Sequence, residues 1–221
     1  MTFPSPTGFY KVLNEKRGPH HGGSGKWNVG KRRSVRGDLV PCHNGLHVVT
    51  LEQLPKWLGP AIHPVLECSD ERVDGGDKWV MRWVVIGPAY DTWNERSARH
   101  FAADCAARAL REVKRLHEWE DKRCNAAERA ARQYADGEID SAAMSAAGSA
   151  AKSAAWSAAK SAAGSAAKSA AESAAWSAAW SAAWSAAKSA AESAAWSAAG
   201  SAAKSWQGKR LARYLTGELP K

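Results

Sequence analysis

The segment from Ser141 to Lys204 reads SAAMSAAGSAAKSAAWSAAKSAAGSAAKSAAESAAWSAAWSAAWSAAKSAAESAAWSAAGSAAK. The unit Ser-Ala-Ala-x recurs sixteen times without interruption, and only its fourth position varies. Ala is the strongest helix former, Lys, Glu and Met are nearly as strong, and no Pro interrupts the segment. The repeat therefore predicts one long α-helix, which at about 1.5 Å per residue would measure about 100 Å. A β-solenoid or silk-like stack and a disordered tract are the alternatives.

Five tryptophans occupy the fourth position of the repeat: Trp156, Trp176, Trp180, Trp184 and Trp196. In a helix, successive fourth positions are rotated by about 40°, so the three central tryptophans would form one patch. Exposed apolar patches mark interaction surfaces, and Trp is enriched at binding hot spots. We therefore predict an interaction surface for a second copy, another protein or a membrane. Packing on the N-terminal domain or on a helix of the same chain is the alternative.

The segment directly before the repeat is predicted to be helical, and the first 95 residues are predicted to mix strands and helices. Apolar residues recur at steps of three and four in the segment before the repeat, which is the helical period, and that helix should begin near Asn94 or Ser97. The predicted fold class is α+β, with a small N-terminal mixed α/β domain followed by long Ala-rich α-helices that form a helical hairpin or rod. The predicted segments are a domain over 1–95, an amphipathic helix over 96–140, the repeat helix over 141–204 and a basic amphipathic tail over 205–221.

Short apolar runs within the first 95 residues predict β-strands. Three of them cover 9–13, 62–68 and 78–86. The last is the clearest, and its richness in apolar residues is typical of a central strand. Asn44-Gly45 is a strong tight-turn pair and predicts one short strand before it and one after it.

The chain is basic, with 31 Lys and Arg against 22 Asp and Glu and a net charge of +9. The excess is spread over the chain, so we expect at most weak, non-specific and salt-dependent binding to nucleic acid. No run approaches the 18 apolar residues of a membrane-spanning helix, so no transmembrane segment is predicted. Peripheral contact with an anionic membrane surface remains an open alternative.

Four cysteines, Cys42, Cys68, Cys105 and Cys124, show no paired spacing. Reduced thiols in a cytoplasm are therefore favoured over disulfides. The N-terminus, MTFPSP, has neither a basic start nor an apolar core, so no signal peptide is predicted.

Candidate catalytic and metal-binding residues are few. Potential zinc ligands are His20, His21, Cys42, His43 and His47, but their spacing matches no standard zinc site. The Gly-rich stretch 22–25 lacks the Walker pattern and is predicted to be a loop, with a phosphate site as the alternative. We therefore predict no metal, no cofactor and no catalytic residue.

Three motifs carry a family resemblance: Tyr10-Lys11-Val12-Leu13, the segment Cys42-His43-Asn44-Gly45-Leu46-His47, and Asp77-Lys78-Trp79-Val80. Together they resemble an uncharacterised domain of phage and bacterial proteins, in which such motifs precede repetitive tails. The resemblance covers residues 9–110. It implies a phage or prophage origin and the cytoplasm of a bacterial host, and it brings no known activity. The predicted role, a non-enzymatic interaction or assembly protein that binds itself or a host or phage protein, follows instead from the tryptophans of the repeat and from the lack of a catalytic constellation.

Gly45-Leu46-His47-Val48 is also similar to the central segment of ADP-ribosyltransferases, where a short helix and a strand follow. In that comparison Tyr10 occupies the first-strand position that a histidine or arginine fills in the family. The resemblance implies an NAD-using enzyme, although no catalytic Glu follows in this sequence. The alternatives to an interaction protein are thus this enzyme and a membrane-surface or nucleic-acid-binding accessory protein.

Overall fold

A computed structural model describes most of the chain outside the repeat. The described residues are 5–20, 24–117, 122–140, 142–143, 145–147, 149–150 and 202–219. The chain forms two compact units: residues 1–101 together with 203–221, and residues 102–202. We call the first the sheet unit.

Seven β-strands and one short 3-10 helix (Leu54–Lys56) make up most of the sheet unit. The strands are β1 (Phe9–Leu13), β2 (Arg32–Ser34), β3 (Leu46–Thr50), β4 (Ala61–Cys68), β5 (Arg72–Asp74), β6 (Trp79–Met81) and β7 (Trp83–Ile86). Every pairing between them is antiparallel, and the order is β2-β7-β4-β1-β3-β6-β5.

The sheet closes on itself, because β6 and β7 are separated only by Arg82 while β4, β1 and β3 lie between them in the sheet. At about 4.8 Å between strands, a flat sheet would place β6 roughly 19 Å from β7. Two residues of extended chain span only about 7 Å. The sheet must therefore curl until β1, β3, β4 and the kinked β6–β7 segment form a ring.

Ser69 and Arg82 stabilise the kink. The Ser69 hydroxyl accepts a hydrogen bond from the Arg82 backbone N–H at 3.0 Å, and the Ser69 N–H donates to the Trp83 carbonyl at 3.1 Å. The Arg82 guanidinium binds both carboxylate oxygens of Glu71 and the carbonyl of Gly37. The prediction of a single central strand over 78–86 is therefore wrong, since the backbone of Arg82 bonds to residues of the β4–β5 connection.

The hydrophobic core lies inside the ring. Side chains alternate between the faces of a strand, and Phe9 and Leu13 of β1 face the interior together with residues from every other ring strand. The buried cluster consists of Phe9, Leu13, Trp27, Leu46, Val48, Val65, Met81, Val84 and Ile86.

A C-terminal helix over residues 202–215 belongs to the sheet unit. Leu211 is fully buried, and the Tyr214 ring lies edge-on to Phe101 with 6.2 Å between centroids. Thr92 Oγ1 donates to the Leu215 carbonyl at 2.7 Å. The end of the chain is thus packed against residues that precede the second unit.

Two further helices are described, α1 (Glu95–His117) and α2 (Lys122–Asp136). Asn94 caps α1, because its Oδ1 accepts from the Ser97 N–H at 3.0 Å while Ser97 Oγ accepts from the Asn94 N–H at 2.8 Å. The predicted helix start at Asn94 or Ser97 is confirmed. In the second unit, Arg132 binds Asp104 at 3.0 Å and Glu128 at 2.5 Å.

The predicted fold class, α+β with a small mixed domain and long Ala-rich helices, is wrong. The described residues contain a seven-stranded antiparallel sheet and few helices, and of the repeat only residues within 142–150 and 202–204 are described, as helix. The remainder of the predicted repeat helix lies outside the described residues. Two strands were missed because β2 and β5 are charged edge strands, which need no apolar alternation.

Candidate functional site

A cavity of about 460 Å³ opens beside β1 and β3, beneath the long connections on either side of β2. We call it the Lys11 cavity. Its charged and aromatic lining residues are Tyr10, Lys11, His20, Trp27, Arg33, His43, His47, Trp57 and Lys78.

The wall of the Lys11 cavity is positively charged. Three Lys and Arg side chains and three His side chains line it, and among the described residues no Asp or Glu does. The nearest carboxylate partner of a lining cation is Asp77, whose Oδ1 lies 3.3 Å from Lys78 Nζ. The cavity therefore presents an excess of cations to any occupant.

Lys11 lies at the centre of this charge. Strand alternation places it on the same face as Phe9 and Leu13, so its stem runs along the apolar interior. Its Nζ donates to the His47 carbonyl at 2.7 Å, and no carboxylate pairs with it among the described residues. Burial, with a smaller contribution from Arg33, lowers the pKa of Lys11 to about 8.

Trp27 and Trp57 provide aromatic walls with cations stacked on them. Lys11 Nζ lies 4.8 Å from the centroid of Trp27, and the Arg33 guanidinium carbon lies 4.9 Å from it. Lys78 Nζ lies 4.7 Å from the centroid of Trp57. Such cation–π contacts hold cations and rings together in one layer.

Arg33 also fixes the Gly-rich connection at the cavity mouth. Its Nη2 donates to the Ser24 carbonyl at 2.8 Å and its Nη1 to the Lys26 carbonyl at 3.1 Å. Gly25 between them has a φ of +84°, and a Cβ there would lie 2.8 Å from Arg33 Nη2. A glycine is therefore required where the connection passes over the guanidinium.

The segment from Cys42 to His47 forms another side of the cavity. His47 Nε2 accepts from the Cys42 N–H at 3.2 Å. Burial lowers the pKa of His47, and Lys11 and Lys78 lower it further, so the ring is neutral near pH 7. Gly45 has a φ of +143°, and a Cβ there would lie 2.0 Å from Val80 Cγ1, so the segment passes too close to β6 for any side chain.

The predicted site residues have different outcomes. All five tryptophans predicted as an interaction surface, Trp156, Trp176, Trp180, Trp184 and Trp196, lie outside the described residues. His20, Cys42, His43 and His47 do line the Lys11 cavity, whereas His21 is not described. In the part of the chain that is described, no three His, Cys, Asp or Glu side chains are placed to hold a metal ion.

Sequence reasoning missed Lys11, Trp27 and Arg33 as site residues. The basic cluster around Arg33 reads as solvated charge, and Trp27 lies in a polar segment without periodicity. One signal was available, because Lys11 occupies an inward position between Phe9 and Leu13. A lysine at such a position is unusual enough to mark a site.

Comparison with protein families, with curated protein sequences and with solved structures finds no match. Within the described residues, no helix combines the length and apolar character needed to cross a bilayer.

Proposed function

We propose that this protein is a non-enzymatic binding protein whose Lys11 cavity takes an anionic ligand that carries a flat ring, such as a nucleotide. The observation that supports this proposal is the lining of the cavity, which combines three Lys and Arg side chains and three His side chains with two tryptophans and no described carboxylate.

The charge of Lys11 explains why the ligand is an anion. Burying an ammonium group without an anionic partner is unfavourable, because the one hydrogen bond to the His47 carbonyl replaces only part of its lost hydration. A ligand phosphate or carboxylate about 4 Å away would contribute about 4 kcal/mol of Coulomb energy at a near-surface effective dielectric, before desolvation. Arg33 and Lys78 line the same cavity and add to the attraction.

The tryptophans and the size of the cavity explain the flat ring. A volume of about 460 Å³ lies in the range of about 300–1,000 Å³ that is usual for small-molecule sites. Trp57 is partly exposed and has Lys78 beside it, so one ligand can stack on this ring and pair with a cation at once. The buried Trp27 holds Lys11 and Arg33 in place.

An NAD-using transferase is the second candidate. Tyr10 and His47, on which the resemblance to ADP-ribosyltransferases depends, both line the Lys11 cavity. Against this candidate, no described Glu lines the cavity to stabilise charge on the ribose. NAD belongs to the ligand class that we propose, so binding and turnover have to be measured separately.

Titration of tryptophan fluorescence with ADP and with adenosine tests the proposal. ADP should bind at least about 10-fold more tightly, since hydrogen bonds to charged groups contribute about 1.5–3 kcal/mol. Lys11→Met should remove most of that preference. Lys16→Met is the matched control, because it removes an exposed lysine outside the cavity.

Equal affinity for ADP and adenosine, or equal effects of the two lysine variants, would contradict the proposal. Incubation with labelled NAD then addresses the second candidate. Release of nicotinamide that His47→Ala and Tyr10→Phe both abolish would replace a binding protein with a transferase.

We also propose, from the sequence, that the repeat is a self-association or partner-binding element, for a host or phage protein if the chain is of phage origin. Its five tryptophans support this role. Light scattering should give a larger mass for the wild type than for the variant with Trp176, Trp180 and Trp184 changed together to Ala. Identical monomeric masses, with no partner, liposome or nucleic acid lost, would contradict it.

A further inference from the structure

We propose that Lys11 is a covalent attachment site, whose amine condenses with the carbonyl group of an anionic aldehyde or 2-oxo acid. The inference rests on the proposed function, because the same cavity must first bind the anion. It adds that the ligand has a carbonyl carbon and that Lys11 Nζ forms a bond to that carbon.

The position of the Lys11 amine supports this inference. Lys11 lines the cavity, and its Nζ is oriented by one hydrogen bond, to the His47 carbonyl at 2.7 Å. A neutral amine that donates one hydrogen to a carbonyl keeps its lone pair available in another direction. The Trp27 ring, with its centroid 4.8 Å from Nζ, limits the motion of the side chain.

The ionisation of Lys11 agrees with this geometry. An amine must lose its proton before it attacks a carbonyl, and an ordinary lysine is less than about 1% neutral near pH 8. Burial lowers the pKa of Lys11 to about 8, and Arg33 contributes to the shift. A large fraction of the group is therefore nucleophilic at a pH where exposed lysines are protonated.

The other lysine of the cavity is less suited to the reaction. Lys78 Nζ forms an ion pair with Asp77 at 3.3 Å, so this amine is already engaged by a carboxylate. Lys78 and Arg33 are instead placed to attract the phosphate or carboxylate of the ligand, while Lys11 reacts. Of the two lysines, Lys78 has a carboxylate partner and Lys11 has none among the described residues, so we assign the reaction to Lys11.

The reaction is balanced without an oxidant or a reductant. The Lys11 lone pair forms an N–C bond to the carbonyl carbon, and a proton moves from nitrogen to the carbonyl oxygen through solvent. Loss of that oxygen as water leaves a C=N bond, so one amine and one carbonyl give one imine and one water. The water leaves through the open mouth of the cavity.

Pyridoxal 5′-phosphate is a suitable probe, because it combines an aldehyde, a flat ring and a phosphate. The full chain is incubated with it near pH 8, the imine is reduced with borohydride, and modified lysines are mapped by mass spectrometry. Lys11 should be modified about 10-fold faster than Lys16 or Lys26, because burial lowers the pKa of Lys11 to about 8 and the cavity binds the phosphate beside it. Pyridoxal without the phosphate should lose this preference.

Lys11→Arg is the decisive variant, because it keeps the positive charge and removes the nucleophile. It should lose the trapped adduct, whereas Lys16→Arg should keep it. Modification spread evenly over exposed lysines, or an unchanged yield in Lys11→Arg, would overturn the inference. ADP binding without trapping at Lys11 would leave the proposed function standing and refute only the covalent step.

Discussion

The sheet unit and the repeat use tryptophan in different ways. In the sheet unit, Trp27, Trp57, Trp79 and Trp83 each have a Lys or Arg side chain over the ring. Trp27 has Lys11 and Arg33 over its ring and Trp83 has Arg32 over its ring, and of these Lys11 and Arg32 come from distant parts of the chain. In the repeat, every tryptophan has Ser and Ala as its sequence neighbours.

This difference shows whether local sequence or the folded structure determines the surroundings of a tryptophan in each region. The environment of a tryptophan in the sheet unit depends on strand pairing, so it is invisible to local sequence patterns. The four-residue period that places the tryptophans of the repeat is visible in the sequence. It does not identify what these tryptophans bind. If this comparison is correct, breaking contacts between distant residues should have larger effects than removing local signals.

The largest effect is expected for Gly45→Ala. A Cβ at this position would lie 2.0 Å from Val80 Cγ1, and φ is +143°, so strain and a clash act together. We expect the free energy of unfolding to fall by about 3 kcal/mol or more, as for other overpacked and strained sites. Urea denaturation measures the loss.

Gly76→Ala is the matched control, because φ is +81° there and a Cβ would meet nothing within 4 Å. It should cost only about 1 kcal/mol from backbone strain. Equal losses in the two variants would show that the contact between Gly45 and β6 is unimportant.

Leu211→Ala should have the next largest effect. Leu211 is fully buried in the C-terminal helix, and a buried leucine changed to alanine typically costs about 2–5 kcal/mol. Lys209→Ala changes an exposed residue of the same helix and should be close to neutral. Chemical denaturation of both variants would test whether the helix stabilises the sheet unit, and equal stabilities would refute it.

Lys11 should make stability depend on pH between about 8 and 10.5. The pKa of Lys11 is lowered to about 8 in the folded protein, so the folded state binds this proton less tightly than the unfolded state. The resulting destabilisation is fully present below pH 8 and is relieved as pH rises towards the ordinary lysine pKa. We expect a gain on the order of 3 kcal/mol from this group.

Lys11→Met should remove that gain, while Lys16→Met should retain it. Thermal denaturation across this pH range, with both variants beside the wild type, isolates the contribution. The same slope in Lys11→Met and in the wild type would show that the lysine is not buried as described.

The smallest effect is expected for the local signal at Asn94. Asn94→Ala removes the cap of α1 and should cost about 1 kcal/mol. Asn28→Ala, at an exposed position outside any strand or helix, is the control. A loss at Asn94 greater than that of Leu211→Ala would reverse the ranking that the comparison predicts.

Local signals predicted several elements of the sheet unit well. The run Phe9–Leu13 was predicted as a strand and forms β1, and the cap at Asn94 begins α1. The kink at Arg82 was not predictable, because it depends on Ser69 and Glu71. The apolar residues of the run 78–86 do not indicate that Arg82, in its middle, forms hydrogen bonds with the connection between β4 and β5.

The candidate site was predicted only in part, for the same reason. His47 and Tyr10 were singled out by motif, and both line the Lys11 cavity. Lys11 and Trp27 are separated by a polar connection, and only the folded chain places the amine 4.8 Å from the ring centroid. A pattern that joins residues across such a connection has no period and no fixed spacing.

The return of the C-terminal helix to the sheet unit makes residues 102–202 an insertion within one folded body. Tandem repeats lengthen and shorten readily by whole units when DNA is copied. A change of four residues in the repeat leaves both attachment points, Phe101 and the helix containing Leu211, intact. In the unfolded chain, the entropy of bringing the two segments of the sheet unit together rises only slowly with the number of residues between them. Gain or loss of whole repeat units should therefore add little to the entropic cost of folding the sheet unit.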